Sequence, residues 1–181
     1  MAHGGDSGAG QYIFTYDFLD IATDWVELTA TMGKGERATV TSFARVRKRF
    51  PSLVLGIDSD NGTEYINQYL KHYCQRENLT FTRSRPYHKN DNAHVEQKNW
   101  EAVRKMVGYD RLDTTEQLAI LDELYAGPLR LYLNYFQPTR KRKSKLVDTR
   151  TGQKTKRYFE AKTPYQRALE HPVTTKLSGI C

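Results

Sequence analysis

An α/β fold, with helices packed on both faces of a mixed sheet, is what this sequence predicts, and three observations predict it. Residues 11–21 (QYIFTYDFLDI) and 25–31 (WVELTAT) are rich in aromatic and β-branched types, and the second alternates, as a hairpin requires. Two short apolar runs, at 53–57 and 79–82, are then interleaved with segments of helical period, an order that mixes hairpin and crossover connections. The chain's 181 residues suffice to bury one ordinary core, and a content of 38% hydrophobic and 12% aromatic residues is that of a folded domain.

The elements follow in order. The glycines of GGDSGAG precede the hairpin as a loop, and Ala22-Thr23-Asp24 forms its turn. Over residues 34–50, Val40, Phe43, Val46 and Phe50 recur at steps of three and four between cations, which predicts an amphipathic helix ended by Pro51. A strand at 53–57 leads into the acidic run IDSDNGTEY, and beyond it Tyr65, Ile66, Tyr69, Leu70, Tyr73 and Cys74 mark the inner stripe of a second helix. Residues 79–82 form another strand, RSRPYHKNDN reads as a loop, and AHVEQKNWEAVRKMVG turns helical and stops near Gly108. Asp113-Thr114-Thr115 offers an N-cap for a helix carrying Leu118, Leu121, Leu124 and Tyr125. Gly127-Pro128 breaks it and starts another with Leu129, Tyr132, Tyr135 and Phe136. After Pro138 the composition turns cationic and poor in aliphatic residues, so residues 137–181 read as an extended basic arm beside a core of residues 1–136.

A formal charge of +7 and a pI near 9.4 direct the expected partners toward anions, nucleic acid first among them. Two cysteines, Cys74 and Cys181, supply neither a disulfide framework nor a zinc site, and the chain reads as cytosolic. No apolar run approaches the ~20 residues that cross a bilayer, and MAHGGDSGAG lacks the regions of a signal peptide.

The acidic run raises the functional question. Its plain reading is a turn with a helix N-cap near Thr63, and Asp58 fits that reading best. Asp60, however, falls at the carboxyl end of an expected central strand, where open α/β sheets place ligands. Glu96, with 35 residues between it and Asp60, lies early on a helix that a loop could bring to the same edge. Carboxylates converging from different elements make a hard-oxygen site suited to Mg²⁺ or Mn²⁺. His88 and His94 lack the companions of a zinc site. Around the acids, Arg83, Arg85, Tyr87 and Lys89 interleave cations with an aromatic, a pattern suited to phosphate and an unstacked DNA end. Arg104 and Lys105 share the Glu96 helix and are placed to track a DNA backbone, Asn99 stands one turn from Glu96, and Arg140, Lys141, Arg142 and Lys143 would neutralise phosphates. Solvated surface residues are the competing reading for each of these.

The surrounding text carries a resemblance. SDNGTEY, followed by RSRPYHKNDNAHVEQKN, resembles the second and third motifs of the integrase core shared by retroviral integrases and bacterial insertion-sequence transposases. DIATDWVEL resembles that family's hairpin, and LNYFQPTRKRK with TPYQR its insertion-sequence tail, so that the likeness spans residues 3–170. It implies a ribonuclease-H-like fold, two Mg²⁺ or Mn²⁺ ions, and DNA cleavage and strand transfer by transesterification, with Asp60 and Glu96 as the last two acids of a D,D-35-E triad. It also implies DNA and other transposase copies, full-length ones or a homo-oligomer, as partners, and a role for Asn99 near the metal. The triad's first Asp is expected a few residues ahead of Ala2-His3, which makes this chain read as a truncated copy; Asp20 matches an often acidic position that is no ligand in the family. Two other readings stay open. One is a catalytically inactive DNA-binding or assembly-modulating fragment of the same fold, and the other is a ribonuclease-H-like nuclease acting on RNA–DNA hybrids.

Overall fold

The structure, a computed structural model, describes residues 1–59, 64–83, 103–147 and 152–171. Its architecture is mixed α/β. The hairpin forms as its alternation requires: β1 (Ile13–Leu19) and β2 (Val26–Met32) pair antiparallel, with Ile13 opposite Met32 and Leu19 opposite Val26. Residues 1–3 lie along the outer edge of β1, where Ala2 bridges Phe14 and the His3 N–H donates to the Ile13 carbonyl at 2.9 Å. Helix α1 (Glu36–Arg47) buries Phe43 and Val46, and is shorter at both ends than its apolar period predicts.

Strand β3 (Gly56–Ser59) begins later than the apolar run at 53–57 implies; Leu53 and Leu55 are 60% and 64% exposed. The reason lies in the pairing. β3 runs parallel to β4 (Thr80–Arg83), Gly56 sits against Thr80, and a Cβ at Gly56 would collide with the Thr80 side chain and backbone, so the close approach starts at the glycine. Between them, helix α2 (Glu64–Arg76) buries Leu70, Tyr73 and Cys74 as its stripe predicts, whereas Tyr69 is 47% exposed. The segment expected as a helix around Glu96 is described only from Val103 onward: Val103 is fully buried, α3 (Lys105–Val107) follows, and Gly108 stops it with φ +88°.

Helix α4 (Thr115–Ala126) starts with a capping box, the Thr114 hydroxyl accepting from the Gln117 N–H while the Gln117 side chain returns to the Thr114 N–H. Pro128 opens α5 (Pro128–Leu131), which widens into a π-helical turn at Tyr132–Phe136. The wider turn shifts the inward face. Leu129, Leu133 and Asn134 are buried, while Tyr132 and Phe136, expected on the inner stripe, are 42% and 72% exposed.

Two apolar clusters hold these parts together. Ile13, Val26, Leu28 and Ala30 pack against Val103, Leu121, Tyr125, Leu129 and Leu133 on one face of the hairpin. On the other side, Phe18 of β1 meets Phe43 of α1, and α1 and α2 enclose Tyr73, Cys74 and Leu79 with β3 and β4. Helices therefore cover both faces of the hairpin. Instead of one continuous sheet, the described strands form three two-stranded pairs. The outer edge of β2 is closed by side chains: Asp122 accepts from the Ala30 N–H, and Asn134 both accepts from the Val26 N–H and donates to the Val26 carbonyl.

The segment expected as an extended arm has structure of its own. Strands β5 (Arg142–Val147) and β6 (Lys154–Tyr158) form an antiparallel ribbon, and α6 (Pro164–Glu170) follows with a second capping box, Thr163 with Gln166. Tyr165 of α6 stacks on Tyr135, with ring centroids 4.6 Å apart, and Ala168 is buried. Apolar contact, which the cationic composition concealed, thus docks this tail on the π-helical turn. Among the described residues no helix is long and apolar enough to cross a membrane.

Candidate functional site

The β3–β4 pair sets the geometry around the acidic turn. Its parallel register aligns Ser59 with Arg83, so the described residues that precede 60–63 and 84–102 end side by side, at the carboxyl edge of adjacent strands. Asp60, Arg85, Tyr87, Lys89, Glu96 and Asn99 lie outside the described residues, and Arg83 is placed by its backbone as the last residue of β4. Asp58, two residues before Asp60, accepts from the Thr82 hydroxyl at 2.8 Å and ties the two strands together. Neither of the two strands carries Cys or His. Among the described residues, no group of three or more His, Cys, Asp or Glu is gathered as a metal site would be.

Asp20 is committed elsewhere. Its carboxylate accepts from the Ala22 N–H at 3.0 Å and from the Thr23 hydroxyl at 2.5 Å, and its carbonyl accepts from the Asp24 N–H. These bonds build the hairpin turn, with Asp24 at φ +63°.

Of the cations assigned to DNA, Arg104 lies over the Tyr109 ring at 4.5 Å and borders a cleft of about 330 Å³ lined also by Gly4, Asp6, Ser7 and Tyr12. The glycine loop beside this cleft is held by Arg111, whose guanidinium donates to the carbonyls of Gly4, Ser7, Ala9 and Gln11. Lys105 is exposed on α3. Arg140, Arg142 and Lys143 are exposed or nearly so at the root of the ribbon, and Lys143 stands over Phe159. Lys141 is different: its ammonium donates to the carbonyls of Ile21 and Ala22 at 2.6 Å each and lies 3.4 Å from Asp24, so it fastens the tail to the hairpin turn.

Three polar groups, two buried and one partly buried, escaped the sequence reading. His3 Nε2 and the Thr15 hydroxyl are 2.7 Å apart, and that hydroxyl meets the Tyr125 hydroxyl at 2.7 Å. Burial, helped by the neighbouring chain amine and Arg104, lowers the His3 pKa to about 4, and burial raises that of the Tyr125 phenol. Glu27 is fully buried, accepting from Trp25 Nε1 at 2.8 Å and from Arg130 at 2.6 Å. The third is a latch in which Asp24 accepts from the Thr139 hydroxyl and Arg167. A Glu inside WVEL, and the Thr-Pro-Tyr-Gln capping pattern at 163–166, were the available signals for the second and third.

No protein-family profile matches the chain. It is 39% identical over 168 residues to the uncharacterized protein y4rM of Sinorhizobium fredii, a match covering 92% of this chain and 47% of that protein, so the chain spans about half of its curated relative. Among solved structures it is similar to a chain of the simian T-cell lymphotropic virus intasome in complex with a PP2A regulatory subunit, with TM-score 0.49, 15% identity, and 92% of this chain and 58% of that one covered. It is also similar to the HTLV-2 integrase catalytic core domain, determined in dimeric form with magnesium, with TM-score 0.43, 11% identity, and 86% and 91% covered.

Proposed function

We propose that the chain is part of an integrase-type, ribonuclease-H-like catalytic core of the insertion-sequence transposase branch, working on DNA ends by cleavage and strand transfer. The observation that carries this reading is the shared exit of the two acid-bearing segments. Ser59 and Arg83 are register partners at the carboxyl ends of parallel strands; in sequence Asp60 directly follows the first, and the segment with Glu96 follows the second. The quoted SDNG and HVEQKN motifs and the 35-residue spacing support it independently. The residue types fit a hard divalent ion, since Asp60 and Glu96 would contribute carboxylate oxygens.

A pair of Mg²⁺ or Mn²⁺ ions, when bound, supplies activation of a water or 3′-hydroxyl and charge relief at the leaving oxygen of a phosphodiester. Asp60 and Glu96 are the residues of this chain that would hold it, completed in the family pattern by an Asp ahead of Ala2. The bridge from Ala2 to Phe14 suits that arrangement, because it sets the chain's first described residues beside the edge of β1. Arg83, Arg85, Tyr87 and Lys89, leaving β4 at the same edge, would grip phosphates and an unpaired DNA end, and Asn99 would steady Glu96.

Binding of Mn²⁺, followed by its electron paramagnetic resonance signal, tests the reading. Asp60→Asn and Glu96→Gln are each expected to weaken binding about tenfold or more while leaving the melting temperature unchanged or higher, because like-charge repulsion is relieved. A lower melting temperature for both variants with unaltered Mn²⁺ binding would return Asp60 to a turn and cap, and remove the metal role.

A further inference from the structure

The β5–β6 ribbon is the most one-sidedly charged surface among the described elements. Each strand carries three cations, RKSKLV in β5 and KTKRY in β6, and neither carries an acid. The register sets Lys145 opposite Lys156 and Ser144 opposite Arg157. Like charges directly across an antiparallel pair are destabilising, so this pattern is unfavourable for a ribbon standing alone in water. Arg142, Lys143, Thr155, Lys156, Arg157 and Tyr158 are all exposed, so four of the ribbon's cations, Arg142, Lys143, Lys156 and Arg157, face solvent.

Its root, by contrast, is fixed. Thr139 and Lys162 bridge below the ribbon, and the Phe159 N–H donates to the Lys141 carbonyl at 2.9 Å. Asp24 then holds Thr139 and Arg167 on the β1–β2 turn. A surface presented on a fixed root loses less conformational freedom on binding than a loose arm does.

We propose that this ribbon is a duplex-DNA contact, laid in the major groove with its arginines and lysines on the flanking phosphates. Two strands about 4.8 Å apart, with their side chains, match a groove about 12 Å wide that admits a two-stranded ribbon. At about 3.4 Å per residue, a six-residue strand spans roughly 20 Å, or about six base pairs. The polyanion supplies the opposite charge that the Lys145–Lys156 pairing lacks. The inference extends the functional reading above, on which it rests only in taking DNA as the polyanion.

The test uses the full chain and a fluorescently labelled random-sequence duplex, with affinity measured across salt concentrations. A ribbon variant, R142Q/K143Q/K156Q/R157Q, is compared with a control of equal charge change on exposed cations of α1, α2 and their flanks, K34Q/R37Q/K48Q/K71Q. Each lost phosphate contact removes about 0.9 from the slope of log affinity against log salt, so the ribbon variant should be shallower by about 2–4 and the control unchanged. Methyl green, which occupies the major groove, should displace the protein, and netropsin, which occupies the minor groove, should not. Equal losses in the two variants would reduce the effect to net charge and overturn the proposal, as would an unchanged slope in the ribbon variant. Heparin or single-stranded DNA competing as well as the duplex would overturn the groove contact in favour of a general polyanion surface. The Mn²⁺ experiment separates the two readings. A ribbon effect with no Asp60 or Glu96 effect leaves a DNA-binding module without strand-transfer chemistry, and the reverse removes the ribbon alone.

Discussion

His3 shows how a single side chain can set the acid limit of this fold. Its ring is buried against Thr15 in a chain of hydroxyls that ends at Tyr125, and its pKa is lowered from 6.5 to about 4. The folded state therefore binds fewer protons than the unfolded state between those values. Stability from this group is complete above pH 6.5 and falls as the pH drops toward 4, by up to roughly 3 kcal/mol. His3→Gln, which can still bond Thr15 but does not titrate, should remove that part of the acid slope. Melting temperatures measured from pH 7 to about 4 check this, and an identical slope in the variant would assign acid sensitivity to other groups. The sequence did not disclose the network, because histidine next to alanine carries no mark of burial until Ala2 is known to pair with Phe14.

At the scale of elements, β2 is the instructive case. It is a strand whose outer edge would otherwise expose backbone donors and acceptors, and the α4–α5 layer satisfies them with Asp122 and Asn134. Asn134 is fully buried and reaches Val26 only because the π-helical turn at Tyr132–Phe136 turns it inward. Asn134→Leu should leave the Val26 N–H and carbonyl unpaired and cost about 2–3 kcal/mol, read as a lower denaturation midpoint with an unchanged m value. A loss below about 0.5 kcal/mol would mean that water replaces the amide. The same turn explains a difference between expectation and structure. A strict helical period puts Tyr132 and Phe136 inside, whereas the wider turn puts Leu133 and Asn134 there, and periodicity has no means of signalling an inserted residue.

Across the whole molecule, the tail is joined to the hairpin by one acid. Asp24 accepts from the Thr139 hydroxyl at 2.9 Å and from Arg167 at 3.1 Å, and Lys141 grips the adjoining carbonyls. Asp24→Ala should free the ribbon and α6 while leaving the core melting temperature within about 1 kcal/mol equivalent, since such pairs contribute modestly where partly exposed. Limited trypsin digestion should then cut between residues 139 and 167 faster than in the parent chain. Unchanged digestion would show that the stacking of Tyr165 on Tyr135 holds the tail without the latch.

The hairpin, α1, α2 and α4 were legible in the sequence because each rests on a local rule: alternation at Ile13–Leu19, a three- and four-residue period around Phe43 and Tyr73, and a cap at Thr114. Asp60 and Glu96 rest on the sequence alone, on motifs whose spacing is a property of the chain, and both lie outside the described residues. Tertiary structure alone decided the rest. That Gly56 and not Leu53 opens β3 depends on Thr80, a residue brought close by parallel pairing. That residues 137–147 and 152–171 form a docked ribbon and helix depends on Asp24 meeting Arg167 and Tyr135 meeting Tyr165, pairs distant in sequence. Local interactions are written in neighbouring residues, whereas these contacts join residues far apart in the chain, and they exist only once the whole core has brought their backbones together.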